Sequence, residues 1–190
     1  MKEYDIAVCG AGTAGVAAAV AAARRGARTL LIEKQCLLGG LATSGLIYVY
    51  LPLDDGYGHR TGSGLAWEMM HRSIEYGPFD LPKAWGGPVD GDSGLPGNRL
   101  RCGFSPGGFC LSLDRMLQES GVDVWLDSRI YAVGIQNDRV VSMTVANDSG
   151  SVEIAAKCFV DATGGAFVVR MAGGNVVYGE NFKTIFIAIL

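Results

Sequence analysis

The stretch AVCGAGTAGVAAAVAAARRGARTLLIEK, residues 7–34, decides the fold. Inside it, GAGTAG places glycines at positions 10, 12 and 15 in a G-x-G-x-x-G string. In a chain with 28 glycines among 190 residues such a string carries little weight alone, so its flanks matter. Before it, YDIAVC (4–9) is a short apolar run of the size of a buried parallel strand. After it, VAAAVAAARR (16–25) predicts a helix with no breaker, and Gly26 sits where a helix-ending glycine belongs. ARTLLIE (27–33) then reads as a second strand that ends on an acid, Glu33.

Each part of this unit has a physical job. Gly10 permits a tight turn, Gly12 lets backbone N–H groups approach a pyrophosphate, and Gly15 lets the helix pack closely on the strand. The helix N-terminus offers unpaired N–H groups and a positive dipole end. Glu33 follows Gly10 at close to the spacing of ~20 residues at which a carboxylate accepts hydrogen bonds from ribose hydroxyls. The stretch therefore predicts a dinucleotide cradle. Glu33 disfavours a 2′-phosphate on the ribose, an effect that the neighbouring Lys34 softens.

Composition excludes several classes of function. Hydrophobic residues make up 49% and charged residues 18%, as in a globular protein. The net charge of −3 is spread without a basic block, which argues against a nucleic-acid partner. No run approaches the ~20 apolar residues of a membrane span. VAAAVAAA (16–23) imitates a signal-peptide core, but Tyr4 and Asp5 stand where a basic segment belongs and glycine turns precede the run. The five cysteines (Cys9, Cys36, Cys102, Cys110, Cys158) contain no C-x-x-C pair and read as free thiols in a reducing compartment, so the expected location is cytoplasmic.

Two later segments extend the pattern: KQCLLGGLATSGLIYVY (34–50) and AAKCFVDATGGAFVVRMAGG (155–174). With GAGTAG and Glu33 they resemble the FAD-dependent oxidoreductases of the glutathione-reductase-like flavoprotein group. The resemblance implies an α/β fold, a Rossmann-like FAD-binding domain with a parallel sheet and a hairpin or meander insertion, plus a partial second region. It implies that GG-x-A-T-x-G, here Gly39, Gly40, Ala42, Thr43 and Gly45, passes beside the flavin. D-A-T-G, here Asp161, Ala162, Thr163 and Gly164, returns to the FAD phosphates. LSLDRMLQESGVDVWLDSRIYAV (111–133) is similar to the family's helix and adenine-holding strand, near Ile130. By the same resemblance Gly10, Gly12, Thr13, Ala14 and Gly15 hold the pyrophosphate, and Glu33 with Lys34 flanks the ribose. No histidine lies in GGLATSG, which argues for noncovalent FAD rather than a histidyl linkage.

Two departures from the family pattern stand out. Relatives often continue D-A-T-G with D-G-D, whereas Gly165, Ala166 and Phe167 follow here. Family members are also much longer. The chain therefore reads as a truncated flavoprotein in which FKTIFIAIL (182–190) begins a substrate-domain strand, a segment that a second copy or a complementing chain would pair with. The expected domains are 1–45 with 109–175 for FAD, 46–108 as an irregular insertion near the substrate side, and 176–190 as the start of that strand. GLAWEMMHRSIEYG (64–77) and Leu111–Glu119 predict helices, and RVVSMTVANDSGSVEIAAKCFVD (139–161) predicts a hairpin.

Catalytic residues are not identified by any pattern. His59 and Arg60, flanked by glycines, are weak candidates for proton transfer and carboxylate binding, with His71, Arg72, Arg99 and Arg101 behind them. No metal-ligand spacing occurs. Cys36 lacks a partner within four or five residues, which excludes a dithiol mechanism. Three functions compete: a FAD oxidoreductase acting on a small-molecule substrate, a non-enzymatic remnant of one, and an NAD dehydrogenase domain. The last leaves GGLATSG and DATGG without a purpose.

Overall fold

A computed structural model of the chain describes residues 1–50, 53–55, 57, 59–81, 83 and 102–177. Strand β1 (Lys2–Cys9), helix α1 (Thr13–Ala23) and strand β2 (Thr29–Ile32) form the opening unit. After a short 3₁₀ turn at Gly40–Ala42 come β3 (Val49–Tyr50), α2 (Leu65–Ile74) and β4 (Cys102–Gly103). The chain then runs through α3 (Pro106–Ser120), β5 (Asp123–Trp125), β6 (Arg129–Gln136), β7 (Arg139–Asn147), β8 (Gly150–Asp161) and α4 (Phe167–Met171).

The main sheet has the order β5-β2-β1-β8-β7-β6. β5, β2, β1 and β8 are parallel, while β7 and β6 run antiparallel to their neighbours. The fold is thus α/β with a mostly parallel sheet, as the sequence predicted. β8 joins the two regimes: Gly150–Ala155 pairs with β7, and Ile154–Asp161 pairs with β1. The outer part is a meander whose first turn, Asn137-Asp138, takes φ of 50° and 57°, as a primed two-residue hairpin turn requires.

Two cores lie on opposite faces of the sheet. On one, α1, α2 and α3 bury Val16, Val20, Met70, Phe109, Leu113 and Leu117 against Val8 and Leu31. On the other, the meander buries Met143, Val145 and Ile154 against Tyr4, Cys9, Leu30 and Ile32. β2 is buried at all four positions because both faces are covered. Alternate residues of β2 serve alternate cores, Leu31 the first and Leu30 with Ile32 the second.

Local sequence explains the element ends. α1 packs through Gly15, Val16, Ala19 and Val20, and Gly26 at φ +84° ends it. α3 starts five residues before the expected Leu111, because Ser105 accepts from Gly108 N–H at 3.2 Å and Pro106 suits the first turn. Gly121, at φ +71°, closes it. α2, from the stretch expected as an insertion, packs in the same core as α1 and α3. Arg24–Glu68 (2.7 Å), Arg72–Glu119 (2.7 Å) and Arg115–Glu75 (3.3 Å) tie these helices together at the surface. Such exposed pairs contribute about 0–1 kcal/mol each, so apolar burial holds the layer. Residues 178–190, and with them FKTIFIAIL, lie outside the described residues.

Candidate cofactor-binding site

The glycine turn is built by contact distances. Gly10 has φ +97°, and a Cβ there would lie 2.5 Å from the Ala162 carbonyl oxygen. A Cβ on Gly15 would lie 1.8 Å from the Gly10 carbonyl oxygen, so α1, β1 and the end of β8 meet with no room for a methyl group. Gly12 differs: a Cβ there would meet nothing within 4 Å. Gly12 caps α1, which has no side-chain cap and no acid in its first turn, Thr13 and Ala14 included. Its first-turn N–H groups therefore face an open side, the arrangement that receives an anion.

The second glycine motif lies directly against the first. Gly39 N–H donates to the Ala11 carbonyl at 2.8 Å, and Gly12 and Gly39 form an isolated parallel bridge. A Cβ on Gly40 would come within 3.2 Å of Gly12 Cα. Ala42 packs toward the helical core. Thr43 is buried, and its hydroxyl donates to the carbonyls of Leu38 and Gly40, closing its own loop.

Glu33, at the end of β2, is 8% exposed. Its Oε2 accepts from Ala11 N–H at 2.7 Å and its Oε1 from Gln35 N–H at 2.9 Å. Each oxygen keeps a second lone pair for a ribose hydroxyl. Beside it opens a pocket of about 380 Å³. Of the residues singled out by sequence, Gly10, Glu33, Lys34, Ile130 and Thr163 line it. Five positions spread over β1, β2, β6 and the β8–α4 turn thus converge on one cavity.

The DATGG segment is a tightly bonded corner leading into α4. Asp161 Oδ1 accepts from the Thr163 N–H (3.0 Å) and hydroxyl (2.6 Å), and Oδ2 accepts from the N–H groups of Val168 (2.9 Å) and Val169 (3.0 Å). Burial opposes the charge on Asp161, but these donors outweigh it and hold its carboxyl below the usual carboxylate range. Thr163 in turn accepts from Phe167 N–H at 2.9 Å. Gly164 turns the corner at φ +77°.

Pattern reading missed the remaining walls of the pocket, Tyr131, Phe167 and Met171 among them. Lys34 Nζ stands 5.5 Å from the Phe167 ring centroid, joining β2 to α4. The usable signal is the i, i+4 spacing of Phe167 and Met171 after a capping Asp161 and Thr163. The weak catalytic candidates do not line this pocket. His59 is exposed and pairs with Asp55 Oδ2 through Nδ1 at 2.8 Å. Arg60 lies 4.3 Å from the Trp67 ring centroid, and His71 packs edge-on to the same ring. Arg72 is engaged by Glu119. Arg99 and Arg101 lie outside the described residues. Among the described residues no cluster of metal-ligating side chains occurs.

A family model described as FAD dependent oxidoreductase matches residues 5–184. The chain belongs to the FAD dependent oxidoreductase family. It is 28% identical over 86% of its length to an NADH:fumarate oxidoreductase of Klebsiella pneumoniae, of which it covers 20%. It is 30% identical over 85% of its length to a digeranylgeranylglycerophospholipid reductase of Picrophilus torridus, of which it covers 39%. The crystal structure of a geranylgeranyl bacteriochlorophyll reductase-like protein from Thermoplasma acidophilum superposes with a TM-score of 0.54 at 24% identity, over 85% of this chain and 39% of that one. The chain thus spans between one fifth and two fifths of the curated relatives it matches. These matches show the FAD dependent oxidoreductase family without singling out its glutathione-reductase-like group. The cofactor is FAD. The residues fit it: an open Gly12, an uncapped helix N-terminus, a buried acid with spare lone pairs and a pocket lined by Ile130.

Proposed function

We propose that this chain forms the FAD-holding part of an oxidoreductase that reduces a small organic substrate through noncovalently bound FAD. The observation that carries this reading is the convergence of Gly10, Glu33, Lys34, Ile130 and Thr163 on one pocket beside the open Gly12. Gly12 and the first turn of α1, Thr13 through Gly15, receive the pyrophosphate. Glu33 and Lys34 flank the ribose, and the β6 backbone near Ile130 meets the adenine. Ala162, Thr163 and Gly164 close the phosphate side from β8. Gly39, Gly40, Ala42 and the Thr43 loop form the smooth surface along which the flavin lies. When bound, FAD supplies the hydride and electron chemistry, and the protein supplies binding and orientation.

The names of two relatives favour the direction of the reaction, since one acts on fumarate and the other is a reductase of an unsaturated lipid. Five unpaired cysteines support a reducing compartment, and we place the protein in the cytoplasm. No described helix is long and apolar enough to cross a membrane.

The test loads the chain with FAD, reduces the flavin photochemically without oxygen, and adds fumarate or an unsaturated isoprenoid lipid. Return of the oxidised flavin spectrum faster than in buffer alone supports the reading. Held flavin that no such acceptor reoxidises contradicts the reductase assignment.

A further inference from the structure

α4 is a wall of the pocket that cannot stand by itself. It has five residues, fewer than an isolated helix needs to persist in water. Its own N-cap is Ala166, a non-glycine residue at φ +51° with no side-chain hydrogen bond to give. Yet α4 presents Phe167, Val168 and Met171 to the pocket, and Val168 is buried in the core under the meander. Something outside the helix must fix it.

Asp161 does this from six residues before the helix begins. Oδ2 accepts from Val168 and Val169 N–H, two first-turn donors that a helix leaves unpaired. Oδ1 holds Thr163 through its N–H and its hydroxyl, and Thr163 Oγ1 then accepts from Phe167 N–H. One half-buried carboxylate therefore fixes both the turn after β8 and the start of α4. The same turn carries Ala162, whose carbonyl oxygen packs on Gly10 of the phosphate turn. At the far side, Phe167 meets Lys34, the residue after Glu33.

Resting on the reading of this pocket as the adenosine end of the FAD site, we propose that Asp161 is its positioning residue. It touches no part of the ligand; it sets the distance between the Phe167 wall and the β2 edge at Glu33–Lys34. The aromatic Phe167, which lines the pocket and stands over Lys34, is the surface through which that setting reaches the nucleotide.

The experiment measures FAD and ADP affinity of the whole chain by calorimetric titration, for the wild type and for Asp161→Asn, Phe167→Ala and the double variant. An amide in either orientation aims its –NH₂ group at backbone N–H donors, at Thr163 or at Val168 and Val169. Losing such charge-assisted bonds predicts at least about tenfold weaker binding of both ligands. Because the effect runs through Phe167, the double variant binds about as weakly as the weaker single one, whereas general destabilisation makes the losses multiply. If Asp161→Asn does not fold, Thr163→Val removes a donor to Oδ1 and the acceptor for Phe167 N–H, and it predicts the same tenfold loss. Unchanged ADP affinity in the folded variant, or multiplying losses, overturns the proposal. A wild-type chain that binds neither FAD nor ADP overturns instead the reading of the pocket.

Discussion

The backbone N–H of Ala11 donates to Oε2 of Glu33 across 2.7 Å, tying the middle of the glycine turn to the end of β2. The other carboxylate oxygen holds Gln35 N–H at 2.9 Å. Glu33 is thus a clamp, besides the ribose contact proposed for it. Glu33→Gln keeps the shape but gives only one acceptor oxygen to two backbone donors. It should cost about 1–3 kcal/mol, a fall in thermal midpoint of roughly 2–4 °C per kcal/mol for a chain of this size. Calorimetric melting checks this, and an unchanged midpoint contradicts the clamp.

The three glycines of the first motif separate into two kinds. Gly15→Ala improves helix propensity by about 1 kcal/mol, but its methyl group would lie 1.8 Å from the Gly10 carbonyl oxygen, a clash that outweighs the gain. The variant should lose its cooperative melt. Gly12→Ala meets open space, so it should melt like the wild type and yet bind FAD at least about tenfold more weakly, because the methyl group fills the face proposed to receive the pyrophosphate. A Gly12→Ala chain with full FAD affinity would remove Gly12 from the site.

His71 predicts a pH dependence. Its Nε2 is buried without a hydrogen-bond partner, and burial followed by the nearby Arg60 pushes its pKa below the usual 6.5. The unfolded chain then binds more protons than the folded one below pH 6.5, so stability falls as pH drops through that range. Denaturant melts between pH 7 and roughly pH 5 should show this slope, and His71→Leu should flatten it. A slope that survives the substitution assigns it elsewhere.

The cysteines predict a labelling order. Burial, then the charge of Asp161, pushes the Cys9 thiol up to about 12, and Cys9 and Cys102 are buried while Cys36 and Cys158 are exposed. An alkylating reagent at neutral pH should modify Cys36 and Cys158 first, with Cys9 reacting only on unfolding. Rapid modification of Cys9, read by peptide mass spectrometry, would contradict the buried β1.

Much of this was legible in the residues because it depends on short-range pattern. The β1–α1–β2 unit follows from apolar runs, glycine spacing and a breaker-free helix, and those features act within about 30 residues. The β7–β8 hairpin followed from similar signals, whereas the sheet order rests on long-range pairing that no local pattern encodes. The start of α3 was harder, since Ser105 and Pro106 lie in a glycine-rich stretch that hides a cap. α4 was harder for a different reason: five residues offer a single i, i+4 pair, Phe167 and Met171, and the capping Asp161 lies outside the helix. Thr43 shows the limit for polar side chains. The resemblance put it beside the flavin, and only the fold reveals that the Leu38 and Gly40 carbonyls take its hydroxyl. Phe167 and Tyr131 join the pocket through tertiary packing, which adjacency in sequence does not encode.

The most direct measurement is FAD retention by the purified chain, read as the absorbance spectrum after incubation with excess FAD and desalting, with and without excess ADP. A flavin spectrum at one FAD per chain, reduced when ADP competes, is the predicted result. A colourless chain that is folded by circular dichroism would contradict the assignment of the Gly10–Glu33–Ile130 pocket as a FAD site.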